Sequence, residues 1–211
     1  MNNITKKEDF EKALIMRHGK KLHEKLSKGS VAICGLGGLG SNIAISLARA
    51  GIGRLHLIDF DRVDLTNLNR QQYAVSQLGE YKTEALKANL LNIAPYCELK
   101  TDTVKITEDN AKNLLFDEDI ICEAFDKAEQ KAMLVNCVLE KLPEKYLVAA
   151  SGMAGIGSAN SIKTRKLTDK FYLCGDEISY AYEKAELVPS RVMICAAHQA
   201  HTVIRILAGE F

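Results

Sequence analysis

The chain has 211 residues, enough for one domain with a self-sufficient core, and its 47% hydrophobic and 26% charged residues exclude a disordered or fibrous chain. A net charge of +1 argues against bulk nucleic-acid binding. The charge is uneven: residues 1–105 carry 16 Lys/Arg against 11 Asp/Glu (+5), and residues 106–211 carry 12 against 16 (−4). A mildly basic half suits an anionic ligand, although random scatter over the surface explains it equally well.

The N-terminus lacks the apolar core of a signal peptide, and no apolar run approaches the roughly 20 residues of a membrane span. The six cysteines contain no C-x-x-C pair, which excludes zinc-ribbon and thioredoxin-type readings. The expectation is a protein of a reducing compartment, the cytoplasm.

Residues 6–28 read as one charged amphipathic helix, with Phe10, Leu14, Leu22 and Leu26 near helical spacing. Its lysines form a solvated face or a surface for an acidic partner. Residues 31–34 (VAIC) are a buried strand and 39–51 a helix closing at Gly51. Residues 54–58 (RLHLI) form the second strand, followed by a polar irregular stretch over 60–75. A helix is expected over 76–93, stopping before Pro95, then a strand over 97–104 and a helix over 107–115. Residues 119–124 (DIICEA) read as a strand, 128–141 as a helix ahead of Pro143, and 146–151 as a strand. This alternation predicts an α/β, Rossmann-like, mostly parallel sheet with helices on both faces. Beyond it lie a glycine-rich stretch (152–158), two antiparallel strand additions (160–167 and 171–174), an acidic loop (175–190) and an apolar helix (191–208) stopping at Gly209.

Gly35-Leu36-Gly37-Gly38-Leu39-Gly40 matches G-x-G-x-x-G between a predicted strand and a predicted helix. Such glycines permit a tight turn and close approach to a phosphate, and the helix supplies free N–H groups and its positive dipole end. Asp59 ends the second strand, 19 residues after Gly40, where a carboxylate accepts hydrogen bonds from ribose hydroxyls. NAD is the default ligand of this fingerprint, but the following segment is dense in polar groups and leads to Lys82. Arg70 and Lys82, 12 residues apart, suit a cleaved triphosphate, because charge builds on departing pyrophosphate. Asp126 follows the strand at 119–124, at the sheet edge where ligands bind, and is the candidate Mg²⁺ ligand; an N-cap role is its alternative. No P-loop motif occurs.

GLGGLGS (35–41), ARAGIGRLHLIDFDRVDLTNLNRQ (48–71), Lys82 and EAFD (123–126) together resemble the ThiF/MoeB/HesA family, relatives of the ubiquitin-activating enzymes. The resemblance covers about Val31 to Ser158. The short length, the CGDE segment and the RVMICAAHQAH ending resemble a compact ThiF subgroup of thiamine biosynthesis. The resemblance implies ATP and Mg²⁺ as cofactors and a nucleotide site built from Gly35, Gly37, Gly38, Gly40, Asp59, Asp61, Asn67, Arg70, Gln71 and Lys82, with Asp126 organising Mg²⁺. It implies a homodimer in which an N-terminal arginine reaches the partner's ATP; Arg17 is the best match, at an unusual spacing.

The implied reaction is adenylylation of the C-terminal Gly-Gly carboxylate of a small ubiquitin-like sulfur carrier protein, with residues 152–158 as a path for its tail or as a simple tight turn. Longer relatives bind zinc through two C-x-x-C pairs that are lacking here, so no zinc is expected. Cys174 is the one suggestive sulfur-handling thiol, but Asp176 and Glu177 would raise its pKa, and a partly buried structural cysteine is the favoured reading. His198 and His201, three apart on the last helix, read as packing or dimer contacts rather than metal ligands. The implied organisation is a single adenylyltransferase unit: a helical extension over 1–28, a nucleotide-binding core over 30–158, and C-terminal strands, crossing loop and helix over 159–211. Rival readings are an ATP-dependent dehydratase of a carbamoylated tRNA base, an NAD-binding redox or sensor domain, and a non-enzymatic relative that keeps only the fold.

Overall fold

The computed structural model describes residues 6–179 and 187–211. Strands β1 (Ser30–Cys34), β2 (Arg54–Ile58), β3 (Glu98–Asp102), β4 (Ile120–Glu123), β5 (Tyr146–Ala150), β6 (Lys163–Lys166) and β7 (Phe171–Gly175) form one sheet in the order β3-β2-β1-β4-β5-β7-β6. β1 to β5 are parallel, and β7 continues them parallel to β5. Only the edge strand β6 is antiparallel. The expectation of two antiparallel additions is therefore corrected for β7, which pairs parallel with β5 and keeps Tyr172, Cys174 and Gly175 buried.

Alternation along the strands sorts the core onto two faces. Val31, Ile33, Leu55, Leu57 and Cys122 face helices α3 (Gly38–Ala50), α4 (Lys82–Leu91) and α7 (Pro189–Ala208). Ala32, Cys34, Ile58 and Ile121 face α5 (Ala111–Leu114) and α6 (Ala128–Lys141). Because β1 is flanked by β2 on one side and β4 on the other, the chain reverses direction across the sheet there. That leaves a crevice at the carboxyl ends of β1 and β4.

Three expected helices change. The N-terminal helix breaks into α1 (Lys7–His18) and α2 (Lys20–Leu26), because Gly19 sits at φ 84°, ψ 153°. The segment 76–93 starts with a 3₁₀ turn at Val75–Gln77; Gly79, at φ +84°, and Glu80 then hydrogen-bond back to Val63, so α4 begins only at Lys82. The helix over 107–115 is reduced to the single turn α5. By contrast α6 spans 128–141 as expected. α7 starts two residues early, at Pro189, whose missing N–H costs nothing in a first turn. Of the expected acidic loop, residues 180–186 lie outside the described residues. Among the described residues, no helix is long and apolar enough to cross a membrane.

Candidate active site

The three motif glycines serve different needs. Gly35 has φ +93°, and a Cβ there would lie 2.9 Å from the Ala124 carbonyl. At Gly40 a Cβ would fall 1.8 Å from the Gly35 carbonyl oxygen, so only glycine lets α3 approach the strand end. Gly37 is different: the nearest atom to a Cβ is Gln71 Nε2 at 3.8 Å, and the space belongs to the cavity. Gly37 is also the N-cap of α3, with no side chain capping the helix. The first amides of the helix therefore have no intrahelical partner and face an opening, the arrangement that receives a phosphate.

Asp59 fixes this turn. Its Oδ2 accepts the Leu36 N–H at 2.6 Å and its Oδ1 accepts the Asp61 N–H at 2.8 Å. The Tyr73 hydroxyl donates to the Leu36 carbonyl at 2.8 Å. Burial pushes the Tyr73 phenol well up, and Asp59 and Asp61 add to the effect, so it stays a donor.

The N-x-x-R-Q segment folds as a 3₁₀ turn (Leu65–Asn67) closed by Asp64: its carboxylate accepts the Thr66 N–H, and Asn67 Oδ1 accepts the Asp64 N–H. The Asn67 carbonyl then accepts the amides of Arg70 and Gln71. This segment is bound to α3 by side chains that the motif reading passed over. Asn42 Nδ2 donates to the Arg70 carbonyl at 3.1 Å, and Ser41 Oγ accepts the Gln72 N–H at 3.1 Å. The aliphatic stem of Arg70 lies over Gly38, and its Nη1 donates to the Thr66 carbonyl and Asn69 Oδ1. Burial lowers the Arg70 pKa, and the facing Asp126 carboxylate counters that. Lys82, the first residue of α4, is 6% exposed, and its Nζ lies 3.2 Å from Asp61 Oδ2. Gln71 is buried, and its Oε1 has no partner among the described residues although the residue lines the cavity.

Asp126 stands exposed on the loop between β4 and α6. Glu123, fully buried, steadies that loop: Oε1 accepts the Phe125 N–H at 2.7 Å, and Lys131 Nζ sits 2.9 Å from Oε2. Gly35, Gly37, Gly38, Asp59, Asp61, Asn67, Arg70, Gln71, Lys82 and Asp126 line one cavity of about 500 Å³. Gly40 lies behind it as a packing residue. Lys105 and Lys127 also line the cavity; neither belongs to a spacing pattern, so only the fold reveals them. Among the described residues no group of three or more His, Cys, Asp and Glu can hold a metal. Asp126 alone fits a cation held mostly by phosphates and water.

Two further candidates fall outside the cavity. Arg17 is exposed on α1 and does not line it. Cys174 is 0% exposed in β7, against Thr164 and Thr202. Burial raises its pKa, and the two threonine hydrogen bonds only partly oppose that. A thiol so enclosed and protonated is a poor nucleophile, in line with the structural reading of Cys174 and against the sulfur-handling one; the cause of its raised pKa is desolvation rather than Asp176 and Glu177. His198 Nδ1 pairs with Thr164 Oγ1 at 3.0 Å, and with His201 it lines a separate shallow cavity along α7.

Known proteins extend the picture. Over 131 residues the chain is 38% identical to the Adenylyltransferase and sulfurtransferase MOCS3 of Aedes aegypti, covering 61% of this chain and 29% of that protein. Over 139 residues it is 36% identical to the tRNA threonylcarbamoyladenosine dehydratase of Bacillus subtilis (strain 168), covering 64% of this chain and 54% of that protein. The chain thus spans about a third to a half of these relatives. The fold matches the E. coli tRNA N6-threonylcarbamoyladenosine dehydratase TcdA, solved in complex with ATP. The TM-score is 0.85 at 20% identity, covering 94% of this chain and 93% of that one. It also matches E. coli MccB solved with ATP, at a TM-score of 0.67, 23% identity and coverage of 90% and 59%. Residues 11–210 match the model of the ThiF family, and the chain belongs to that family.

Proposed function

We propose that the protein uses ATP to adenylylate a carboxylate, and that this carboxylate is the C-terminal Gly-Gly end of a small ubiquitin-like, ThiS-like sulfur carrier, in thiamine thiazole synthesis. The observation that carries the reading is the convergence of Arg70, Lys82 and Asp126 on the cavity into which the N-terminus of α3 opens. The carrier's carboxylate oxygen bonds to the α-phosphorus, and the bond from that phosphorus to the bridging oxygen of pyrophosphate breaks. Acyl adenylate and pyrophosphate are the products.

No protein nucleophile is required. The residues position the reactants and neutralise charge that grows on pyrophosphate. Arg70 and Lys82 supply that charge, Asp59 holds the ribose, and Asp126 holds Mg²⁺. Mg²⁺ would add Lewis-acid stabilisation of the phosphate oxygens. NAD is disfavoured by family membership and by four further cationic side chains besides Arg70 in the cavity lining, Lys82, Lys105, Lys127 and Lys131. Residues 1–211 act as one unit in this proposal. The protein works as a homodimer, and Arg17, exposed and away from its own cavity, reaches the partner's nucleotide.

A second reading, ATP-dependent dehydration of a carbamoylated tRNA base, is favoured by one observation: the fold covers more than nine tenths of TcdA as well as of this chain. Mass spectrometry separates the two. Incubation with ATP, Mg²⁺ and a Gly-Gly carrier is expected to give a carrier–AMP adduct that disappears when the last glycine is deleted. Loss of water from threonylcarbamoylated tRNA, with no carrier adduct, selects the second reading.

A further inference from the structure

The cavity continues past the nucleotide residues. Asp59, the glycine loop and Asp126 sit at the ends of β2, β1 and β4, whereas Ser151, Gly152 and Ala154 follow β5, and Glu177 and Ser179 follow β7. In the strand order this second stretch lies beyond β4, on the side away from the ribose carboxylate. Its lining also takes in Met153, Leu187 and Val192, and a nearby cation, Lys131, is already held by Glu123 and the Ala150 carbonyl; an apolar, backbone-rich surface of this kind suits an extended acceptor better than a triphosphate.

Its two segments meet through hydrogen bonds from the Asp176 and Glu177 amides to the Gly152 and Ser151 carbonyls, and both are tied to one side chain. Arg191, in the first turn of α7, is 4% exposed and has all five of its N–H groups matched. Nε donates to the Ala154 carbonyl at 3.0 Å, and Nη1 to the carbonyls of Gly157 and Ser158, each at 2.8 Å. Nη2 donates to Ser161 Oγ at 3.1 Å and forms an ion pair with Asp176. Asp176 in turn accepts the amides of Ile178 and Ser179 and the Ser179 hydroxyl, so it shapes the second wall.

Two further features mark the place as built under constraint. Glu177, at the cavity, is the one non-glycine residue of positive φ among the described residues, at 61°. A Cβ on Gly152 would lie 2.0 Å from Asp176 Oδ1, and one on Gly175 would lie 1.7 Å from the Ser151 carbonyl. A buried ion pair is weak as a source of stability, since apolar replacements often serve as well, which favours a positioning role.

We infer that the Arg191–Asp176 pair is a positioning device for the acceptor half of the site: it fixes the 151–161 segment against the 176–179 segment, which also meet through the Ser151 and Gly152 carbonyls, and so sets the surface along which an extended chain ending in a carboxylate would lie. This rests on the proposed carboxylate adenylylation. Arg191 and Asp176 act through the walls and touch neither reactant.

The test is steady-state kinetics with a Gly-Gly carrier, beside nucleotide titration in the carrier's absence. The variants are Arg191→Lys, Asp176→Asn and the mild Ser161→Ala, which removes one exposed hydroxyl partner and leaves the ion pair. Arg191→Lys and Asp176→Asn are expected to raise the carrier KM about tenfold or more, with ATP affinity within about twofold. Ser161→Ala is expected to raise it by about fivefold, the size of one lost hydrogen bond. Equal loss of ATP and carrier binding, or an unchanged carrier KM in Ser161→Ala, overturns the inference. A wild-type protein inert toward every carrier while binding ATP refutes the proposed acceptor instead, so the two failures are distinguishable.

Discussion

Gly37 and Gly40 are three residues apart in one motif, yet their substitution has opposite consequences. Gly40→Ala drives a methyl into the Gly35 carbonyl, 1.8 Å away, and is expected to cost at least about 2 kcal/mol in urea unfolding. Gly37→Val has φ −77° and open space around it, so the protein folds, but the side chain occupies the phosphate position. Isothermal titration should show ATP binding lost in Gly37→Val with an unchanged unfolding midpoint; retained binding would move the phosphate elsewhere. Arg70→Ala and Lys82→Ala are expected to lower adenylylation kcat by about 10²-fold each, measured by pyrophosphate release. For Cys174→Ala, activity per folded molecule should stay within about twofold, because the thiol is sealed among Thr164 and Thr202.

Among the elements, the glycine loop was legible in the sequence because its chemistry is local, and the N-x-x-R-Q residues were legible as candidates though not as a turn. Glycine spacing and strand and helix periodicity fall within a few residues, as does the N-x-x-R-Q spacing, although the Asp64–Asn67 closure that folds it came only with the structure. What binds them together was not legible. Asn42, Ser41 and Tyr73 make long-range hydrogen bonds to backbone groups, and nothing in their spacing announces it. Arg191 reads in the sequence as an ordinary helix residue, and only the fold brings Asp176 and the 154–161 carbonyls around it.

The Arg191–Asp176 element also has a pH signature. Burial raises the Asp176 pKa, but its hydrogen bonds from Ser179, Ile178 and Arg191 outweigh that and lower it from 3.8 to about 2. The folded value is the depressed one, so the contribution to stability is complete above pH 3.8 and is lost as the pH falls toward 2. Urea unfolding of wild type and Asp176→Asn across this range should show midpoints that converge at the acid end; a constant difference would mean that Asp176 is not the titrating group.

At the scale of the whole molecule, the parallel sheet was readable from the β-α alternation, and its exceptions came from single residues. Gly19 splits the first helix, and Gly79 delays α4 so that Lys82 arrives at a helix start beside Asp61. The direction of β7 was beyond reach, because a short apolar strand carries no mark of its partner. Strand order then places the crevice between β1 and β4, and the surrounding loops fill it with cations, carboxylates and open amides, the groups that the proposed nucleotide site needs. In the proposed reading ATP binds the folded state alone, so saturation at about 100 times Kd should add about 2.7 kcal/mol of stability, seen as a raised Tm.

Exchange of labelled pyrophosphate into ATP, with Mg²⁺ and a carrier ending in Gly-Gly, tests the central claim most directly. The account predicts exchange that requires the carrier, disappears when its last glycine is removed, and falls about 10²-fold in Arg70→Ala. Exchange at the wild-type rate in Arg70→Ala, or none with any carboxylate acceptor despite tight ATP binding, would contradict it.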